Sequence, residues 1–372
     1  MGKNIFITGS AGFIGSHTVK RAISDGHMVV GIDNLEETYD SKIKRMRIQE
    51  LSGLKNFEFV LGEIGDEKLV ASIIKNNDIN CVINLAAKAG VRTSIAQPLK
   101  YYQTNLLGTL NILDVLSSKP EIKLIQASTS SVYGSAYNKF IESDTSIRSI
   151  SPYAASKKSA EELCYVYNSL YGNKMTIFRF FTVYGPMGRP DMSIFRFIKW
   201  ISENDAVRIN GDGMQERDFT YVEDVVRGIL AAVNSDWDYE IINLGSDQPH
   251  SINTVIELIE KKLGKKANRQ HLDPDPADVP FTQASTDKAH QLLDWLATTN
   301  LHDGIEKTCL WYKNNRDWVS TLDLQIEKNL VSETLTSNLQ REPLLKIKNT
   351  VSAGSDGGIL EFNKKDEKVF ES

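Results

Sequence analysis

Through the first half of the chain, short apolar runs alternate with amphipathic stretches. Residues 4–8, 28–32, 57–61, 81–85 and 124–127 are apolar without strict alternation, the pattern of parallel strands covered on both faces. Between them, residues 13–24, 66–75 and 98–117 carry apolar side chains at helical spacing. Strand alternating with helix predicts right-handed crossovers and an α/β fold, a doubly wound parallel sheet of the Rossmann type over residues 1–179.

Beyond about residue 180 the pattern changes. Loops containing Gly185, Pro186, Gly188 and Pro190, and later Gly211 and Gly213, separate shorter elements. A stretch rich in proline and aspartate, 273–280, reads as an ordered loop or lid, and helices resume at about 286–293 and 302–314. Residues 180–318 are expected to form mainly a smaller substrate-binding lobe, with some segments returning to the sheet. From 319 to 372 the chain is mostly polar and includes Gly354, Gly357 and Gly358. The expectation there is a poorly ordered extension, with a docking or dimerisation arm as the sharper alternative.

Composition narrows the classes. The 372 residues are 41% apolar and 24% charged, enough for a sizeable core with an ordinary soluble surface. A net charge of −5 marks no general nucleic-acid binder. Cys81, Cys164 and Cys309 lie far apart and in odd number, which suits reduced structural thiols. The histidines form no metal-binding pattern, so no metal site is expected. No apolar run approaches the ~18 residues of a membrane span. A strand beginning at about Lys3 leaves no room for a signal peptide. The expectation is a cytoplasmic protein with no membrane or nucleic-acid partner.

Gly9, Gly12 and Gly15 follow the first strand and open a helix, with Phe13 and Ile14 between them. A strand–glycine turn–helix lets backbone approach a pyrophosphate and faces its charge with a helix N-terminus. Asp33 ends the second strand, where a carboxylate accepts hydrogen bonds from ribose hydroxyls and repels a 2′-phosphate. Asn34 follows rather than arginine, so NAD is favoured over NADP.

Tyr153 and Lys157 open a later helix after Ser151 and Pro152, and their i, i+4 spacing sets both on one face. A tyrosine of pKa ~10 is a poor base at neutral pH, and a nearby ammonium favours its phenolate. The strand before this helix ends in Thr129, Ser130 and Ser131, at the carboxyl edge where ligands of parallel sheets bind. A hydroxyl there can relay a proton between substrate and Tyr153. Ser130 and Ser131 also read as an ordinary polar turn.

With these motifs in view, residues 3–313 resemble the extended short-chain dehydrogenases, and within them the NAD-dependent UDP-glucuronate 4-epimerases. The runs 84–92, 151–159, 178–192 and 211–224 carry the resemblance. It implies a catalytic set of Thr129, Tyr153 and Lys157. Around the cofactor it implies Leu85, Ala86, Ala87 and Lys88 after the fourth strand, Phe180 beside the nicotinamide, and Glu63 and Ile64 beside the adenine. Arg92, Ser130, Thr182 and Arg189 would lie near the sugar. The backbone of Val207 and Ile209 would pair with the uracil, with Arg217 on the diphosphate and Asp278 close by. A homodimer through the helices at 98–117 and 152–171 is implied too. The chain departs from the family pattern at Glu63 and Ser285, where aspartate is usual, at Ala277, where glycine is common, and at Asp275, where related epimerases present arginine or a neutral group.

The implied reaction is redox-neutral. Tyr153 takes the C4 hydroxyl proton, hydride passes from C4 to NAD and returns to the opposite face of a transient 4-keto sugar, and UDP-glucuronate becomes UDP-galacturonate. A 4-epimerase of neutral or N-acetylated UDP-hexoses is the close competitor, and Arg189 favours the acidic sugar. Related 4,6-dehydratases carry Asp and Glu after the catalytic threonine, and UDP-glucuronate decarboxylases a Ser-Glu pair. Ser130 and Ser131 stand there in this chain. A dehydrogenase releasing NADH, or a non-catalytic dinucleotide binder, completes the alternatives.

Overall fold

The computed structural model describes residues 2–135, 138–144, 148–275 and 278–324. Strands β1 (Asn4–Thr8), β2 (Met28–Asp33), β3 (Phe57–Leu61), β4 (Cys81–Asn84), β5 (Lys123–Thr129) and β6 (Met175–Phe180) form one parallel sheet. It is completed by a later strand, 239–244. The order across this seven-stranded sheet is that late strand, then β6, β5, β4, β1, β2, β3. The chain therefore reverses direction across the sheet beside β1, and the crevice above its carboxyl edge is the expected ligand position.

Helices α1 (Phe13–Ser24), α2 (Lys42–Leu51) and α3 (Glu67–Asn76) connect the first strands. Asp66 caps α3 by accepting from the Leu69 amide, and Gly12 precedes α1 with no side-chain cap, leaving its first amides for another acceptor. After β4 come α4 (Val91–Ala96), α5 (Pro98–Tyr101), one π turn (Tyr102–Leu107) and α6 (Gly108–Ser117). The predicted helix at 98–117 is thus present but carries a π turn. Helix α7 (Pro152–Tyr171) starts where Ser151 accepts from the Ala154 amide and proline sits at its first position.

The second lobe holds β7 (Thr182–Tyr184), α8 (Ser193–Glu203), β8 (Ala206–Asn210), β9 (Glu216–Tyr221) and α9 (Val222–Ala231). It continues through β10 (Tyr239–Leu244), β11 (Pro249–Ser251), α10 (Ile252–Leu263) and β12 (Asn268–Leu272). Helices α11 (Asp287–Leu293), α12 (Leu301–Asn314) and α13 (Arg316–Val319) follow. Strand β10 returns to the central sheet beside β6, and α9 packs on α1. Val225 and Ile229 of α9 consequently share one core with Ile5, Val19 and Ile83. Each such fully buried aliphatic side chain contributes roughly 1.5–3 kcal/mol. A second core joins α8, α10 and α12.

All three cysteines are free and buried. The chain expected to become a loose extension after residue 318 continues to pack. Val319 and Leu322 are buried in the second core, the Ser320 carbonyl accepts from Lys199 at 2.7 Å, and the Asp323 amide donates to Asp40 at 3.0 Å. Two apolar residues three apart and three hydrogen bonds hold this polar-looking segment against the second lobe. The rest of the expected tail, 325–372, and Ala277 lie outside the described residues.

Candidate active site

A cleft of about 410 Å3 runs along the carboxyl edge of the sheet, and every residue the sequence assigns to the cofactor lines it. Gly9, Gly12 and Gly15 form its floor. Gly9 has φ +68°, and a Cβ there would come within 2.8 Å of the Ala86 amide nitrogen. A Cβ on Gly15 would lie 2.0 Å from the Gly9 carbonyl oxygen. Only glycine permits this turn. Ser10 Oγ is buried there without a partner in the described protein.

Asp33 sits at the end of β2 and accepts from the Ala11 amide (3.1 Å), the Leu35 amide (2.8 Å) and Lys44 (3.3 Å). Asn34 donates to Glu63 at 2.9 Å, so the glutamate that replaces the usual aspartate is held within the cleft wall. Lys88 pairs with Glu36 at 2.5 Å. Buried polar bonds fix the strand ends that carry these groups. Thr8 Oγ1 takes the Ala86 amide (3.0 Å) and donates to Asn84 (2.5 Å), and Asn84 donates to Gln126 (2.8 Å). Asn105, inside the π turn, binds both backbone groups of Lys88 and the Ser156 hydroxyl of α7. The π turn therefore registers the segment after β4 against α7.

Thr129, Tyr153 and Lys157 all face this cleft. The β5–β6 register sets Thr129 opposite Phe180. The Tyr153 phenol faces the Thr129 hydroxyl, which donates to Ser131 Oγ at 3.2 Å, and makes an edge-to-face contact with Tyr101 at 6.1 Å. Burial raises the Tyr153 phenol above its ordinary value, against the Thr129 hydrogen bond and the charge of Arg189. Burial also lowers Lys157 to about 8. The lowering of Tyr153 expected from Lys157 is therefore absent: Thr129 and Arg189 are the groups that lower the phenol, and desolvation outweighs them. Ser128, beside Thr129, donates to Glu161 at 2.5 Å. Glu161 in turn forms a forked pair with Arg179 at 3.0 and 2.8 Å.

A second cleft of about 450 Å3 opens from the first, and Ser130, Ser131, Thr182, Arg189 and Met192 line both. Arg92, Ile209, Arg217 and Asp278 line the second alone. Val207 lines neither cleft; the role assigned to it is a backbone one, and its side chain, like that of Ile209, is buried in the second core while β8 pairs along one edge with β12. Thr129 lines only the first cleft. The arginines meet aspartates. Arg92 pairs with Asp275 at 2.5 Å, Arg189 with Asp191 at 3.0 Å, and Arg217 with Asp278. Asp275 is thus neutralised rather than left facing the cleft alone. Ser285 donates to Asp287 at 2.9 Å and lines neither cleft.

Sequence reasoning passed over Tyr39 and Lys44, which line the first cleft, and Arg196 and Arg208, which line the second. The run 42–51 reads as a strongly polar helix, and only the fold turns Lys44 inward. Arg208 lies between Val207 and Ile209, and strand alternation could have found it.

The family described as GDP-mannose 4,6 dehydratase matches residues 6–308. The UDP-glucuronate 4-epimerase of Thermodesulfobacterium geofontis (strain OPF15) is 44% identical over 317 residues, covering 85% of this chain and 98% of its own. Among solved structures, the UDP-glucuronic acid 4-epimerase of Bacillus cereus, in complex with UDP-glucuronic acid and NAD, superposes with a TM-score of 0.80 at 36% identity. The match covers 84% of this chain and 99% of that one. The UDP-glucose 4-epimerase of Thermotoga maritima, solved with UDP-glucose, gives 0.77 at 29% identity, over 84% and 99% of the two chains.

Proposed function

This chain belongs to the sugar-nucleotide epimerases of the extended short-chain dehydrogenase fold, among the UDP-glucuronate 4-epimerases, and from that premise we propose that it interconverts UDP-glucuronate and UDP-galacturonate at C4. The observation that carries the reading is that Tyr153 and Thr129 line the first cleft together with Ser130, Thr182 and Arg189, which also line the second.

NAD in the first cleft fits the glycine turn, the uncapped start of α1 and the Asp33 carboxylate, and supplies a hydride acceptor and donor beside a cationic ring. Tyr153 accepts the C4 hydroxyl proton and later returns one, with Thr129 bridging it to the sugar oxygen. Lys157 holds the ribose side of the cleft and, when protonated, favours the phenolate. Arg189 supplies the forked donors that suit a sugar carboxylate, and Arg217 and Arg92 suit phosphate oxygens. Ser130 and Ser131 supply hydroxyls where elimination across C5 and C6 would need an acid and a base. This favours inversion at C4 over dehydration.

The reading extends to assembly and place. Leu99, Leu107, Tyr165, Val166 and Leu170 are exposed on the α5–α6 and α7 helices, and their apolar area supports a homodimer through that face. No helix among the described residues is long and apolar enough to cross a membrane. With three free thiols, this supports a cytoplasmic protein. The direct test of mechanism is UDP-glucuronate carrying deuterium at C4. Retention of the label at C4 of the product supports the internal return of hydride, and its loss to solvent refutes it.

A further inference from the structure

The cofactor's glycine turn and the turn that carries Arg189 meet on one buried guanidinium. Arg47, on the inner face of α2, is 1% exposed. Nη1 donates to the Ala11 carbonyl at 3.0 Å and the Tyr39 hydroxyl at 2.9 Å. Nε and Nη2 both donate to the Met187 carbonyl, at 3.2 and 2.6 Å, and Nη2 also donates to the Gly188 carbonyl at 3.2 Å. These bonds match the five N–H groups of arginine, and a lysine has only three. Every acceptor is neutral. Among the described residues no carboxylate pairs with Arg47, so a full charge is buried without a counter-charge. An apolar side chain would fill the space without that penalty, so packing alone does not account for it.

What Arg47 touches gives it a use. The two peptides that flank the Ala11 Cα are both held, the amide by Asp33 at 3.1 Å and the carbonyl by Arg47. Met187 is a left-handed non-glycine residue with φ +56°, a strained conformation that persists only where the surroundings fix it. Arg47 supplies two of those fixing bonds. Two residues later Arg189 lies over the Tyr39 ring at 5.4 Å, and Arg47 contacts the same ring at 5.8 Å.

We propose that Arg47 is a positioning residue that locks the glycine turn to the 185–189 turn, so that grip on an acidic sugar is set in register with bound NAD. The inference rests on reading the first cleft as the NAD site and Arg189 as the partner of the sugar carboxylate. The test uses holoenzyme and calorimetric affinities for UDP-glucuronate and for UDP, in wild type, Arg47→Lys, Arg189→Gln and the double variant. Arg47→Lys is expected to weaken UDP-glucuronate about five- to tenfold while UDP stays within about twofold, and the loss should shrink below about twofold once Arg189 is Gln. Equal loss for both ligands, no loss, or additive effects overturn the proposal. Should Arg47→Lys not fold, Tyr39→Leu reads the same lock, with the same selective loss expected and an equal loss contradicting it. NAD retention separates this inference from the substrate reading. Arg47→Lys is expected to shed NAD on dilution at least about fivefold faster through the loosened Ala11 peptide, whatever sugar is bound. Unchanged retention overturns the lock even if the substrate proves to be a different sugar.

Discussion

Arg217 is ion-paired with Asp278, so the residue assigned to the substrate's diphosphate is held by a second substrate-site residue. Arg217 is largely buried and Asp278 is one-third exposed. On the proposed role of Arg217, an incoming diphosphate takes the guanidinium from a carboxylate, and binding becomes an exchange of anions. Pairs of this exposure are worth up to about 1 kcal/mol. Asp278→Asn is therefore expected to tighten UDP about two- to fivefold by titration calorimetry. Weaker binding would mean that Asp278 itself contacts the ligand.

Tyr153→Phe removes the phenol that faces Thr129 and serves as the proposed base. Turnover should fall by about 10³-fold or more, with bound NAD retained, and Thr129→Val should cost about 10²-fold. NAD content after denaturation and initial rates check both together. Full activity in Tyr153→Phe would require another base.

How far the sequence carried this account depends on how local each signal was. The glycine turn, Asp33 and the Tyr153–Lys157 pair are short-range patterns whose chemistry follows from strand, turn and helix, and all of them line one cleft. Arg47 and Lys44 lie in a polar helical run, and long-range partners bury them, the Met187 and Gly188 carbonyls for Arg47 and the Asp33 carboxylate for Lys44. The pairing of Arg92 with Asp275 joins positions far apart in the chain, which no periodicity can reveal. At Val207 the resemblance assigns the backbone to the substrate, and the burial of its side chain in the second core leaves that assignment unchanged.

Lys157 is lowered by burial to about 8 from its ordinary value of 10.5. Below about pH 8 it is charged in both folded and unfolded chains, and burial of that charge is a constant penalty. Between about 8 and 10.5 the unfolded chain binds more protons, so stability rises with pH and the penalty is relieved. Lys157→Met is thus expected to be inactive yet more stable than wild type without NAD at pH 7, by up to roughly 3 kcal/mol. The gain should vanish toward pH 10.5. Denaturant unfolding at several pH values checks this, and a less stable variant at pH 7 would contradict it.

Truncation tests the end of the second core. A chain ending at 324 keeps Val319, Leu322 and the bonds to Lys199 and Asp40, and should match full-length melting and activity. A chain ending at 318 loses two buried aliphatic side chains worth together roughly 3–5 kcal/mol, for a fall in Tm of roughly 5–10 °C. Equal melting of the two would show that 319–324 contribute nothing.

The most direct measurement is product analysis of purified protein with UDP-glucuronate, following the sugar anomeric signals by NMR. The account predicts UDP-galacturonate, with no accumulation of NADH and no carbon dioxide. A decarboxylated pentose, a dehydrated 4-keto sugar, or turnover confined to neutral UDP-hexoses would contradict it.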